Sequence, residues 1–534
     1  MPSLLDCQAL ILLLRPDVRE ACQTLGQFTP LKYQKWLLVH GLVQYPVLAA
    51  DTDLQAFAMA ENRNCKFGLT TLQQLIYEAR PDVQTAFSLA TQKQHFLWWF
   101  YTLGLNEHKF WFYLSKAEQD FVRSLPAPWA ARLLELDHAH AVANTQSPRF
   151  EALSFGVNVI GYAYGQLGIG EDARMAARSL IAVKVPFSMV SMAPGAEISQ
   201  NDLSMQGYVV ERGDFAINLF CLIAEETGRY YAEQGAAQFN NRYNIGYWPW
   251  ELGAWPVALE MLFALVDEIW VSSQHTFDAI AKVCDKPLYL MPMAVDLGPV
   301  TRFESQGKAR AHFGLPAQAK LFCFAFDLNS YIDRKNPQAC VEAFLLAFGK
   351  DDELVDGVGL VIKVHAPTQP NEAWSTLKAL AARDRRIHII EQTLDRADLL
   401  ALYQTCDCFV SLHRAEGFGR GLAEALQLGL RVICTGYSGN LDFCRTPNAE
   451  LVDYHLVRVG ESQYPHATGQ YWAEPSVQHA AQLMKKVFAL PKSELTATDF
   501  SEFSPAMVGQ RYKKRLNEIH AKRHHTQLAF STEV

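Results

Sequence analysis

The sequence predicts an α/β protein with two doubly wound parallel sheets facing a cleft, preceded by an all-helical domain. Three observations carry this. From about residue 152, two series of short apolar runs alternate with amphipathic segments, the pattern of buried parallel strands joined by crossovers. Each series contains a glycine-rich stretch after a strand-like run, where such sheets bind ligands. Before residue 135, leucines and aromatics recur at helical spacing instead.

With 534 residues the chain is too long for one ordinary core. The expected parts are a helical repeat domain over 1–135, a Rossmann-like domain over 152–300, a second Rossmann-like domain over 301–505, and a closing helix and tail over 506–534. In the first part "RPDVREA" (Arg15 to Ala21) is answered by "RPDVQTA" (Arg80 to Ala86), each followed by a tryptophan and a glycine in "WLLVHG" and "WFYTLG". Such recurrence indicates duplicated helical hairpins, with each Arg-Pro ending one helix and opening the next. The run "FLWWFY" reads as core packing.

The first strand series is "LSFGVNVIGY", "VPFSMVSM", "FAINLFCLI", "VDEIWVS" and "PLYLMPM", with helices near Glu171 to Ile181 and Thr276 to Val283. The second is "LFCFAFD", "GLVIKVH", "RIHIIEQ", "CFVSLH" and "RVICTG". In the second, "RAEGFGRG" is too rich in glycine for a stable helix, and "LAEALQL" is helical up to Gly429. Glu416 then sits on a loop at a strand's carboxyl end and Glu424 in the first turns of the next helix. Both border free N–H groups that can hold a phosphate.

Composition removes several function classes. Apolar residues make up 49% and charged residues 19%, a globular balance. A net charge of -8 gives no general attraction to nucleic acid, so no such partner is expected. Eleven cysteines are scattered without zinc spacing or a disulfide framework. The sixteen histidines, His138 and His140 among them, show no metal spacing, and no metal or cofactor is expected. "DTD" at Asp51 to Asp53 imitates a metal-binding D-x-D but reads as a helix cap. The apolar start is too short to span a bilayer and lacks a basic start and a small-residue cleavage site, and the cytoplasm is the expected location. The basic tail "RYKKRLNEIHAKRHH" reads as a solvated helix face, with peripheral contact to the inner membrane face as the alternative.

Motifs then carry a resemblance. "EGFGRGLAE" (Glu416 to Glu424) resembles the E-x7-E motif of the family 4 glycosyltransferases of GT-B fold. "GQLGIGEDAR", "GYWPWEL", "DEIWVSS", "RKNP" and "TGYSGNLDF" resemble the same family in the same order, over residues 152 to 520.

The resemblance implies retaining transfer of a sugar from a nucleotide-sugar donor to a glycan, lipid-linked glycan or protein acceptor, with cell-surface polysaccharide synthesis the default setting. Glu416 and Lys335 would be catalytic. Glu416 would contact the donor sugar, the amides of Gly417, Phe418 and Gly419 the sugar and diphosphate, and Glu424 the ribose. Lys335 would neutralise charge growing on the departing diphosphate, and Gly168 would let backbone approach the phosphate and acceptor.

Two departures stand out. The arginine usual before that lysine is missing from "FAFDLNSYID", which leaves Arg334 or Arg420 to substitute. Cys221 occupies a frequent histidine position, so no general base is assigned there; a front-face mechanism needs none. "GIGEDA" has no acid at the end of the next strand, against a dinucleotide site, and lacks the lysine of a P-loop. The other classes weighed are a scaffold with a silent transferase domain and a glycoside hydrolase using the paired carboxylates. The helical repeats are expected to guide a large acceptor or mediate self-association.

Overall fold

The computed structural model describes residues 6–62, 65–126, 150–194, 198–349, 357–365, 370–491 and 498–531. His138, His140 and the expected boundary near residue 135 lie outside them. The chain divides into two compact units, one holding residues 1–153, 224–243 and 261–265, the other 154–223, 244–260 and 266–534.

The helical unit shows the duplication directly. Arg15 ends helix Cys7–Leu14 and precedes Pro16–Ala21, and Arg80 stands likewise between Thr71–Ala79 and Pro81–Ala86. Each arginine pairs with the aspartate two residues on, at 2.7 Å, and lies 5.3 Å over the tryptophan of its own repeat, Trp36 or Trp99. After each tryptophan comes a π-helical turn, Leu37–Gly41 or Phe100–Gly104. Within "FLWWFY", Phe96, Trp99 and Phe100 are buried, while Trp98 is exposed. Asp51 caps helix Thr52–Met59 by accepting from Leu54 N at 2.9 Å. Helix Ala224–Gln234 is part of this unit's core: a Cβ on Gly228 would lie 3.0 Å from both Leu10 and Leu262.

The second unit holds two sheets. The first is formed by β1 (Ser154–Gly161), β2 (Phe187–Ser191), β3 (Val209–Val210), β4 (Phe215–Phe220), β5 (Tyr243–Tyr247), β6 (Glu268–Val271) and β7 (Leu288–Leu290), in the order β3-β2-β1-β4-β5-β6-β7. The second is formed by β8 (Lys320–Phe326), β9 (Val358–Val364), β10 (Ile387–Glu391), β11 (Cys408–Ser411), β12 (Arg431–Thr435) and β13 (Ala449–Val452), in the order β10-β9-β8-β11-β12-β13 and parallel throughout. Both reverse direction between their first and fourth strands. At such a switch point neighbouring crossovers leave on opposite faces and open a crevice at the carboxyl ends. The expected ten apolar runs are all strands; β3, β5 and β13 are additional, as is the antiparallel hairpin β14 (Tyr454–Arg458) and β15 (Tyr471–Pro475).

The helices that position the site are α1 (Gly168–Ala182), α2 (Gln274–Ile280), α3 (Ile332–Lys335), α4 (Pro337–Phe348), α5 (Glu372–Ala381), α6 (Arg396–Thr405), α7 (Arg420–Gln427), α8 (Val477–Ala489) and the closing α9 (Pro505–Ser531). Helix α7 begins two residues before the expected start. Gly419, at φ +96°, makes the turn into it, and glycine costs little in a first turn that has few intrahelical bonds to lose. The basic face of α9 is partly committed to packing. Arg515 is buried against Glu268 at 2.6 Å, and Lys513 donates to Val183 O at 3.0 Å. No described helix is long and apolar enough to cross a membrane.

Lys363 is an anomaly in the second sheet. It lies in β9 between Ala325 and Ile390, 2% exposed, and burial pulls its ammonium down to about 8 although Asp327 opposes this. A folded-state value below the usual one means that the charge costs stability below pH 8, and the cost fades as pH rises toward 10. K363M should therefore stabilise the protein by about 2 kcal/mol at pH 7, with a smaller gain at pH 10. Urea unfolding of both proteins at the two pH values checks this.

Candidate functional site

The second sheet's switch point lies between β8 and β11, and the residues singled out by spacing follow these two strands. After β8 the chain turns through Tyr331 (φ +64°) into α3, whose last residue is Lys335, then through Asn336 (φ +49°) into α4. After β11 it forms the loop that carries Glu416, Gly417, Phe418 and Gly419.

The two segments meet at one carboxylate. Lys335 Nζ lies 2.5 Å from Glu416 Oε1, and Arg334 Nη1 lies 3.3 Å from Glu416 Oε2. Arg334 also donates to Ala415 O at 2.9 Å, which ties the lysine segment to the loop. Burial pushes the Glu416 carboxyl up, but Lys335, Arg334 and His413 outweigh it and bring it down to about 2. The pairing thus stabilises the fold above the ordinary carboxylate range and is lost as pH falls toward 2. Burial lowers the Lys335 ammonium, with Glu416 opposing.

The loop is held from behind. Ser438 Oγ accepts from Glu416 N at 2.8 Å, and Gly439 N donates to Glu416 O at 2.9 Å. A Cβ on Gly439 would lie 2.1 Å from Gly417 O, so only glycine fits there; one on Gly417 would meet Trp250 O of the first-sheet side at 3.2 Å. Buried His413 bridges Ser411 Oγ and Asn440 Oδ1 at 3.0 and 3.1 Å. Helix α7 has no side-chain cap; the carbonyl of its cap residue Gly419 accepts from Leu422 N at 3.0 Å and from Ala423 N at 3.2 Å.

Glu424 occupies a separate charge cluster. It is buried and pairs with Arg396 Nη1 at 2.8 Å. Arg396 donates through Nη2 to Asp296 O at 2.8 Å, and its Nε lies 3.3 Å from Glu171 Oε1, close enough for an ion pair but not aligned as a hydrogen bond. Arg174 completes the cluster, 2.9 Å from Glu171 Oε2 and 3.1 Å from Asp202. The start of α1, with Gly168 in its first turn, thereby faces the start of α7.

Of the two candidate substitutes for the missing arginine, Arg334 is at Glu416, whereas Arg420 pairs with Asp172 and donates to Ala294 O. Sequence spacing does not indicate Arg396, nor the contacts of Glu251, which lies 3.8 Å from Arg334 Nη2 and accepts from the Tyr464 hydroxyl. "GYWPWEL" contains Glu251 but points to no partner, and Tyr464 stands in a hairpin without a motif. Among the described residues, no cluster of three or more His, Cys, Asp or Glu could hold a metal.

Residues 331–449, which include Lys335, Glu416 and Glu424, match the family model described as Glycosyl transferases group 1. The two Rossmann-like sheets agree with the expected GT-B architecture, and the match lies in the half of the second sheet. Among solved structures, the chain is similar to Anabaena HepE in complex with UDP and glucose, at 12% identity over 68% of this chain and 100% of that one, with a TM-score of 0.48. It is also similar to a sucrose-phosphate synthase from Thermosynechococcus elongatus (13%, 70% and 100%, TM-score 0.45) and to a trehalose 6-phosphate synthase from Burkholderia multivorans (9%, 69% and 100%, TM-score 0.45). No curated protein matches the chain.

Proposed function

We propose that the protein is a glycosyltransferase that moves a sugar from a nucleoside diphosphate donor to an acceptor hydroxyl with retention, and without a metal. The observation that carries the reading is the pairing of Lys335 and Arg334 with Glu416 at the second sheet's switch point. In this reading Glu416 accepts from hydroxyls of the donor sugar, the amides of Gly417, Phe418 and Gly419 hold the diphosphate, and Glu424 accepts from the ribose. As the bond from the anomeric carbon to the diphosphate breaks, the electron pair leaves with the phosphate oxygen, and Lys335 and Arg334 neutralise the growing charge. The acceptor oxygen bonds to the same face and its proton passes to the departing phosphate, so no side-chain base is required. The acceptor is a glycan, a lipid-linked glycan or a protein, and cell-surface polysaccharide synthesis fits such chemistry.

Incubation with UDP-, GDP- and dTDP-sugars, with and without EDTA, tests this when the released sugar is followed by NMR. One donor should be hydrolysed equally in both conditions, and its first product should keep the donor's anomeric configuration. Hydrolysis of none, or an inverted product, overturns the reading.

Gly168 supplies a narrower check. Nothing lies within 4 Å of the position its Cβ would take, so the protein itself has room for a methyl group. G168A should leave Tm within about 2 °C of wild type while weakening UDP, GDP or dTDP binding at least threefold by titration calorimetry, because the methyl obstructs the ligand's approach.

A further inference from the structure

We infer that Glu251 and Tyr464 form the seat for the acceptor's attacking hydroxyl; this rests on the donor reading above. Arg334 is shared between two carboxylates: Nη1 lies 3.3 Å from Glu416 Oε2 and Nη2 lies 3.8 Å from Glu251 Oε1. Glu251 comes from the segment after β5 in the first sheet, whereas Glu416 comes from the second. A guanidinium's width therefore separates the proposed donor-sugar ligand from a carboxylate of the opposite half.

Glu251 is built into this place. Its backbone oxygen pairs with His275 Nε2 at 2.8 Å, and its Oε2 accepts from the Tyr464 hydroxyl. The Tyr464 ring packs on Trp250 and Tyr331, with centroids 5.8 and 5.1 Å away. The β14–β15 hairpin that carries it is fastened by Arg414, which pairs with Glu474 at 2.6 Å and lies 5.5 Å over Trp472, and by Gln463, which donates to Asp333 at 3.2 Å.

The chemistry of the pair selects its ligand. A carboxylate beside a phosphate is repelled, so Glu251 does not serve the diphosphate. Its Oε1 is beyond hydrogen-bond distance of Arg334 and remains able to accept from an alcohol. The Glu251 side chain is also more open than Glu416, 21% against 11% exposed. Before reaction an O–H donated to Oε1 would hold the acceptor oxygen beside the donor sugar with a lone pair toward the anomeric carbon. As the new bond forms the O–H turns from Glu251 to the departing phosphate oxygen, which takes the proton, so Glu251 acts by positioning alone. Tyr464 fixes the rotamer of the carboxylate.

The test compares E251Q, E251D and Y464F with wild type, using the donor that wild type hydrolyses and water or glycerol as acceptor. E251Q should lower kcat at least tenfold and Y464F about threefold. E251D should recover part of the loss, and the Kd for UDP, GDP or dTDP should stay within twofold in all three. Unchanged kcat in E251Q and Y464F, with nucleotide bound, overturns the inference and leaves the donor reading standing. Parallel losses of kcat and nucleotide affinity overturn it too, since they mark a merely structural role. If wild type binds no nucleotide, the donor reading falls and this inference falls with it.

Discussion

K335A should hydrolyse the donor about a thousandfold more slowly than wild type, a loss of about 4 kcal/mol of transition-state stabilisation. Lys335 Nζ is the nearest cation to Glu416, and its segment enters the site directly from the switch-point strand. Removing it leaves Glu416 paired with Arg334 at 3.3 Å, so the carboxylate is not stranded and the fold should hold. The loss therefore belongs mostly to kcat, with nucleotide affinity falling about tenfold. K335R should recover only part, because a planar fork cannot replace a compact ammonium at one point. Steady-state kinetics of the three proteins, with Tm as the control for folding, decide this; a K335A rate within tenfold of wild type would count against a role for the lysine in leaving-group departure.

G439A should do as much damage from behind the loop. The added Cβ would fall 2.1 Å from Gly417 O and 2.9 Å from Glu416 O, both backbone atoms that cannot swing aside like a side chain. Either the loop that carries Glu416 moves or the Gly439 turn opens, and each outcome breaks the bond from Gly439 N to Glu416 O. We expect a loss of about 3 kcal/mol in urea unfolding and more than tenfold weaker nucleotide binding. Normal stability and affinity in this variant would show that the loop's geometry is not set by Gly439.

The α/β halves are legible in the sequence because strands buried on both faces must be apolar almost without interruption, as in Leu360 to Val364, where only Lys363 breaks the run. β5 is harder to see. Its residues Tyr243 to Tyr247 alternate with polar groups and merge into "GYWPWEL", which draws attention as a motif before it reads as a strand. The β14–β15 hairpin is largely exposed along β14, so no buried face imposes a pattern on it. The helical unit also exceeds its sequence span. Helix Ala224–Gln234 looks like an ordinary crossover in a doubly wound sheet, yet its Gly228 packs on Leu10. Truncating residues 1 to about 135 would therefore uncover part of a core, and it is a poor way to separate the repeats from catalysis.

At the site, spacing distinguished the two glutamates because a loop and a helix follow a strand in recognisable order. Their partners are less visible. Lys335 stands 81 positions from Glu416, and Arg334 81 from Ala415, in contacts that only the switch point explains. Arg396 reaches Glu424 from the start of a different crossover, and Tyr464 reaches Glu251 across 213 positions. Neither side chain belongs to a local pattern, since what joins them is the folding of separate loops onto one crevice.

The central claim is that a nucleotide sugar sits at the carboxyl end of the second sheet, between the Lys335 segment and the Glu416 loop. A crystal structure of the protein with a bound nucleoside diphosphate tests it most directly. The account predicts phosphate oxygens within hydrogen-bond distance of Lys335 Nζ and of the amides of Gly417 to Gly419, with the ribose against Glu424. A nucleotide bound at the first sheet, or turned so that its phosphates lie away from Lys335, would contradict it.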